Sequence, residues 1–328
     1  MESNSSASVV SDDKSSFLAR HEFLLRRLHS LTGLIPVGAY MVVHLLTNAS
    51  VLESAAKFQL NVYMIHGLGK ILPIVEWGFI FIPILFHAIF GMVIIMGGLP
   101  NTRSYPYEAN LRYTLQRATG MIAFLFIVWH VFHLHGWIHA GWWIDGVAKP
   151  LGGAQFKPYN ATSSAGLALQ SGFVMLMYTI GVLSCVFHLA NGLWTMGITW
   201  GVWVSPRAQK QALRVCGAFG VLLAIVGMSA LFGMWSKGHG EALQEARSVE
   251  DKIYDAKLSL GEIEPTPEKR AEPAVEGEAA VAAASQETTK EVEAPATEDT
   301  SKTAAEHEKP AEGETATPAA ELTEAGAE

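Results

Sequence analysis

The sequence predicts an all-α membrane protein: five transmembrane helices, the first four an up-down bundle, followed by an acidic tail. Three observations carry this. Five apolar runs have the length needed to cross a bilayer, about 20 residues each. Charge is segregated: residues 1–236 hold 14 basic and 8 acidic side chains, a net of +6, whereas 237–328 hold 9 and 23, a net of −14. Finally, the two cysteines, Cys185 and Cys216, lie inside apolar runs, which excludes a disulfide-stapled secreted domain. The overall 50% hydrophobic and 16% charged composition is therefore the average of two unlike parts, and a one-piece soluble globule is excluded. The acidic tail argues against nucleic acid as a partner.

In chain order, residues 1–16 (MESNSSASVVSDDKSS) are polar, lack the basic-then-apolar order of a signal peptide, and are expected to be disordered. Residues 17–236 form the membrane domain, with spans expected at 31–49, 73–96, 119–140, 169–198 and 213–235. Each must be helical, because lipid offers the backbone no hydrogen bonds. The fourth is long enough to require tilt. Arginines mark one side: Arg20, Arg26 and Arg27 before the first span, Arg103, Arg112 and Arg117 between the second and third, Arg207 and Arg214 between the fourth and fifth. The positive-inside rule then puts the N-terminus in the cytoplasm, and five crossings put the C-terminal tail outside. Residues 237–328, rich in Ala, Glu, Pro and Thr, are expected to be mostly disordered, with room for a short helix over roughly 241–258.

Each of the first four spans carries a histidine at depth: His44, His87, His130 and His188. Ionisable groups inside a bilayer are costly and usually face the bundle interior. One such histidine is readily explained as a hydrogen-bonded structural residue; one on each of four helices is not. In an up-down bundle the first and third helices lie diagonally opposite, as do the second and fourth. At 1.5 Å per residue, His44 and His130 lie about 17–20 Å from the cytoplasmic face, and His87 and His188 about 14–15 Å. The diagonal partners match in depth. His133, one turn beyond His130, is a rival ligand; His135 and His139 fall near the outer interface among tryptophans.

Two facing imidazoles at one level suit axial ligation of a haem iron. Zinc prefers four ligands at one point, usually with thiolates. A di-iron bundle needs several glutamates, whereas the first four spans offer Glu76 at one edge. The chain has no Cys-x-x-Cys-His motif, so the porphyrins would be held non-covalently, giving a bundle around two b-type haems. Glycines near the ligands, Gly38, Gly91, Gly120, Gly181 and Gly192, would allow close approach. A haem-free anchor and a histidine-relay transporter are the rival readings; neither accounts for one histidine per helix at matched depths.

The segments RRLHSLTGLIPVGAYMVVH (26–44), FHAIFG (86–91), LQRATGMIAFLFIVWH (115–130) and GVLSCVFHLANGLWTMGITWG (181–201) resemble the five-helix, two-haem cytochrome b anchor of bacterial succinate dehydrogenase and the related fumarate reductases. The resemblance runs from about residue 23 to 235. It implies that His44 and His130 hold the outer, low-potential haem, and His87 and His188 the inner, high-potential one. It also implies an anchor in the bacterial cytoplasmic membrane that docks a flavoprotein and an iron–sulfur subunit on its cytoplasmic face. Electrons from succinate, oxidised on the flavoprotein, would pass through this chain to a membrane quinone. The chain itself would carry no succinate chemistry. Fumarate reductases of this family have a glutamate two residues before the fourth ligand; here that position is Val186, which favours the succinate-oxidising direction. Arg26, Ser30 and Arg117, at the inner ends of the first and third helices, are candidates to pair with propionates of the inner haem. Glu76, His66 or His139 could serve a quinone proton path.

Overall fold

The computed structural model describes residues 17–98, 102 and 104–271. The expected disorder of 1–16 and of the distal tail falls outside them, as does Arg103. Among the described residues, five helices are long and apolar enough to cross a membrane: Arg20–Leu52, Gly69–Met96, Glu108–His135, Gly172–Thr199 and Pro206–Ser236. They are hereafter the first to fifth spans. The fifth packs along the fourth and the first, the third along the fourth, and the second along the first.

Most spans begin earlier than the apolar pattern suggests. The third starts at Glu108 and takes Arg112 and Arg117 into the helix. Hydropathy cannot see this, because long basic side chains on a helix end reach polar surroundings while the backbone stays helical. The same helix stops at His135 rather than near 140, because Gly136 takes a left-handed conformation (φ 80°) and its N–H bonds back to the Val131 and Phe132 carbonyls. The first span is interrupted by a π-turn at Gly33–Gly38 containing Pro36, which has no N–H to donate. The fifth starts with Pro206 after Ser205, whose hydroxyl accepts from the Ala208 N–H at 3.2 Å.

The two ends of the bundle differ. One carries the start of the first span with Arg26 and Arg27, and Arg112, Arg117, Arg207 and Arg214 at the ends of the other spans. At the other, three segments fold over the helices: Ala55–His66, the 136–171 connection, and Gly240–Ser259. Here Ala154, Gln155 and Phe156 donate their N–H groups to the Phe132, His133 and Leu134 carbonyls at 3.0–3.1 Å, satisfying acceptors that the helix end leaves open. The Gln59 side chain, fully buried, bonds the Pro158 carbonyl and the Ala161 N–H. Tyr63, Tyr159 and Tyr254 form a buried cluster, with the Arg270 guanidinium 3.8 Å from the Tyr254 ring centre.

Glu250 fastens the last helix. It is 0% exposed, and its carboxyl accepts from the Thr162 N–H (2.6 Å), the Ser163 N–H (3.0 Å) and the Ser163 hydroxyl (2.5 Å), at the N-terminus of helix Ala161–Ala168. Burial pushes its pKa up, opposed by these donors. The helix expected at 241–258 is thus present at Gly240–Ser259, and the order extends to Ala271, whose N–H bonds Asn160 Oδ1. Composition had grouped 237–271 with the solvated tail. A buried apolar face (Leu243, Ala246, Tyr254) and a partnered carboxyl build this stretch into the body instead.

Candidate functional site

His44 and His130 face each other with ring centroids 6.0 Å apart and planes at 79°. His87 and His188 do the same at 6.0 Å and 87°. Two imidazoles on opposite sides of one metal ion need about 6 Å between centroids, given a metal–nitrogen bond of about 2 Å and about 1 Å from nitrogen to ring centre. Both pairs meet that requirement, and both are the diagonal pairs expected from helix direction.

The second layer fixes which nitrogen faces inward. His87 Nδ1 lies 2.8 Å from the His29 carbonyl, and His188 Nδ1 lies 3.0 Å from the Gln116 carbonyl. An N–H bonded to a carbonyl leaves Nε2 unprotonated, which is the form a metal takes. Gln116 also reaches this helix with its side chain: Nε2 donates to the His188 carbonyl at 3.1 Å, and Oε1 accepts from Asn191 at 2.8 Å. At the other pair, His130 Nδ1 is 3.2 Å from the Tyr178 hydroxyl. His44 packs against Tyr40, 5.5 Å between rings.

Two glycines make the His87/His188 pair possible. A Cβ on Gly33 would overlap His87 Cε1, and one on Gly120 would come 2.7 Å from His188 Cε1. These contacts also set the levels. Gly33 precedes His44 by 11 residues and Gly120 precedes His130 by 10, so both helices put the two pairs about 15–17 Å apart along the bundle.

Of the other glycines read from the sequence, Gly38 meets Leu189, Gly91 meets His29, Gly181 meets Phe126 and Gly192 meets Gln116. Gly120 alone of that set touches a paired histidine. Gly33, His29 and Tyr178 were not singled out. His29 stacks on His87, centroids 4.0 Å apart and planes within 7°. A usable signal was the i, i+4 spacing of His29 and Gly33 on one helix face. His133, the rival, turns Nδ1 to the same Tyr178 hydroxyl at 3.0 Å and stacks on Trp129.

The three polar candidates do not converge. Arg26 is exposed and paired with Glu22 at 2.7 Å. Ser30 donates to the Arg27 carbonyl and accepts from the Trp200 indole, both at 2.9 Å. Arg117 spans from the third helix to the end of the second, donating to the Ile94, Ile95 and Gly98 carbonyls. Its positive charge complements the negative end of that helix.

Among the described residues, no group of three or more His, Cys, Asp or Glu side chains could hold a metal ion together, so each histidine pair stands as a two-ligand set. The donors fit a haem iron: each pair offers two facing imidazoles at the required spacing, three of the four rings have an oxygen at Nδ1, and glycines flank His87 and His188.

The chain is 35% identical over 211 residues to the succinate dehydrogenase cytochrome b558 subunit of Bacillus subtilis (strain 168), covering 64% of this chain and 96% of that protein. The chain belongs to the family of succinate dehydrogenase cytochrome b subunits. No protein-family model matches it. As a family member it is a multi-pass membrane anchor with an electron-transfer role, associated with the other subunits of its complex. The match leaves about a third of the chain without a counterpart in that relative.

Proposed function

We propose that this chain binds two b-type haems, one between His44 and His130 and one between His87 and His188. Through them it carries electrons from an iron–sulfur subunit to a membrane quinone. The observation that carries the reading is the pair of 6.0 Å imidazole facings at two levels of one bundle. When bound, the haems supply reversible one-electron iron centres held in apolar surroundings.

The protein's own part is positional. The His29 and Gln116 carbonyls keep His87 and His188 in the ligating tautomer. Gly33 and Gly120 let neighbouring helices close on those rings. The arginine end faces the cytoplasm in this reading, and the flavoprotein and iron–sulfur subunits dock there. Arg26, Ser30 and Arg117 remain the proposed counter-groups for haem carboxylates at that end, with Arg117 reaching furthest, to the end of the His87 helix. Val186 stands where the related fumarate reductases carry a glutamate, which favours succinate oxidation as the working direction; it packs in an apolar cluster with Leu45 and Leu223.

A dithionite-reduced minus oxidised spectrum of the purified complex, with haem counted as its pyridine adduct, tests the proposal. Two b haems per chain are expected. A colourless chain overturns it, and a single haem removes one of the two sites.

A further inference from the structure

We propose that Tyr178 is the positioning residue of the His44/His130 centre, and that it makes this centre adjustable through a side chain where the other is fixed by backbone. The proposal rests on the two-haem reading above.

Tyr178 is 5% exposed on the fourth span, and its hydroxyl lies 3.2 Å from His130 Nδ1 and 3.0 Å from His133 Nδ1. A phenol has one proton to give and lone pairs to accept with. If His130 offers Nε2 to a metal, its Nδ1 carries the proton and donates to the tyrosine oxygen. The tyrosine proton then goes to His133 Nδ1, which serves as the acceptor. The order His130 to Tyr178 to His133 therefore has one consistent direction, and it removes His133 from competition as a ligand.

The ring is held from several sides. Phe126 meets Tyr178 edge-on at 5.4 Å, and Trp129 meets it at 5.2 Å. Trp129 also stacks on His133, 4.9 Å between centroids and 11° between planes. Gly181, one turn along from Tyr178, lets Phe126 approach, and Phe126 in turn stacks along His130 at 5.6 Å. His133 is 7% exposed.

An acceptor at Nδ1 increases the electron donation of an imidazole to its metal and orients the ring. For His87 and His188 that acceptor is a main-chain carbonyl, which no side-chain substitution removes. For His130 it is a phenol, which a single substitution removes while leaving the ring packing intact.

The test is a potentiometric titration of both b-type bands in the assembled complex, with haem content measured alongside. The wild-type spectrum, showing two bands or not, decides the underlying reading separately. With two bands present, Tyr178→Phe is expected to raise the midpoint potential of the His44/His130 centre alone and to weaken its haem retention about 10–100-fold. Unchanged potentials and retention, or an equal shift of both centres, overturn the proposal. If Tyr178→Phe fails to assemble, His133→Phe keeps the stack on Trp129 and removes only the tyrosine's acceptor. A shift confined to the His44/His130 centre supports the proposal, and no shift overturns it.

Discussion

At the arginine end, His87 and His188 each donate an Nδ1–H hydrogen bond to a backbone carbonyl and lie against a glycine. At the capped end, His130 bonds a tyrosine hydroxyl and His44 packs on a tyrosine ring. The facing distance is the same, 6.0 Å in both pairs. That is the distance a shared metal would need, whereas the surroundings, which differ, would set how firmly each ring is held and how its electron donation is tuned. A ligand tied to the main chain keeps its partner through most substitutions; one tied to a side chain is open to change.

The largest expected effect comes from deleting a ligand. His188→Ala should abolish the arginine-end centre and leave the other, halving the haem count, and His130→Ala should do the converse. Loss of both centres from either variant, read from haem stoichiometry, would mean the pairs are not independent. Gly120→Val comes next. Its added carbons meet the His188 ring, and overpacking of this kind costs about 1–3 kcal/mol. Haem should be lost selectively from the His87/His188 centre, with thermal melting of the complex as the check.

Gln116→Leu should do less. It removes the side-chain bonds to the His188 carbonyl and to Asn191, each typically worth about 0.5–1.5 kcal/mol, yet leaves the Gln116 carbonyl in place. A small potential shift at one centre is expected, smaller than that of Tyr178→Phe at the other. A larger one would break the contrast between backbone and side-chain control.

The smallest effect is on pH. Burial, with Lys269 and His139 nearby, holds His66 at about 4, below its ordinary 6.5. An unfolded chain binds that proton in the window between the two values while the folded cap does not, so the contribution is present above pH 6.5 and lost as pH falls towards 4. Protease susceptibility of the capped end should therefore rise between pH 7 and pH 5, and His66→Gln should flatten the change.

The five spans and the four facing histidines were legible because their signals are local and large. An apolar run of bilayer length has few alternatives, and a histidine at that depth needs a partner. Helix direction, with rough depth, pointed to His44 with His130 and His87 with His188. The depths themselves were misjudged, only a few ångströms apart in the sequence reading against about 15–17 Å in the structure, because the first and third spans start near residues 20 and 108 rather than 31 and 119. The layer behind them was not legible. Tyr178 and His130 are separated by 48 residues, His87 and His29 by 58, and nothing in either segment announces the other. Arg117 read as a propionate partner or a topology marker; that it would cap the second span depended on where that helix ends. The stretch 237–271 was hidden by averaging, since its one decisive acidic residue, Glu250, is 87–88 residues from the groups it binds.

By itself, then, the sequence determined how many times the chain crosses the bilayer, which end carries the arginines, and which histidines meet across the bundle. Hydrophobicity and helical rise act residue by residue and can be summed along a string. Only the tertiary structure decided what holds Nδ1 of His87, His130 and His188, which glycines lie against His87 and His188, and that the chain after the fifth span folds back as a cap. Those outcomes depend on hydrogen bonds and close contacts between segments far apart in sequence, and such contacts exist only once the helices have packed.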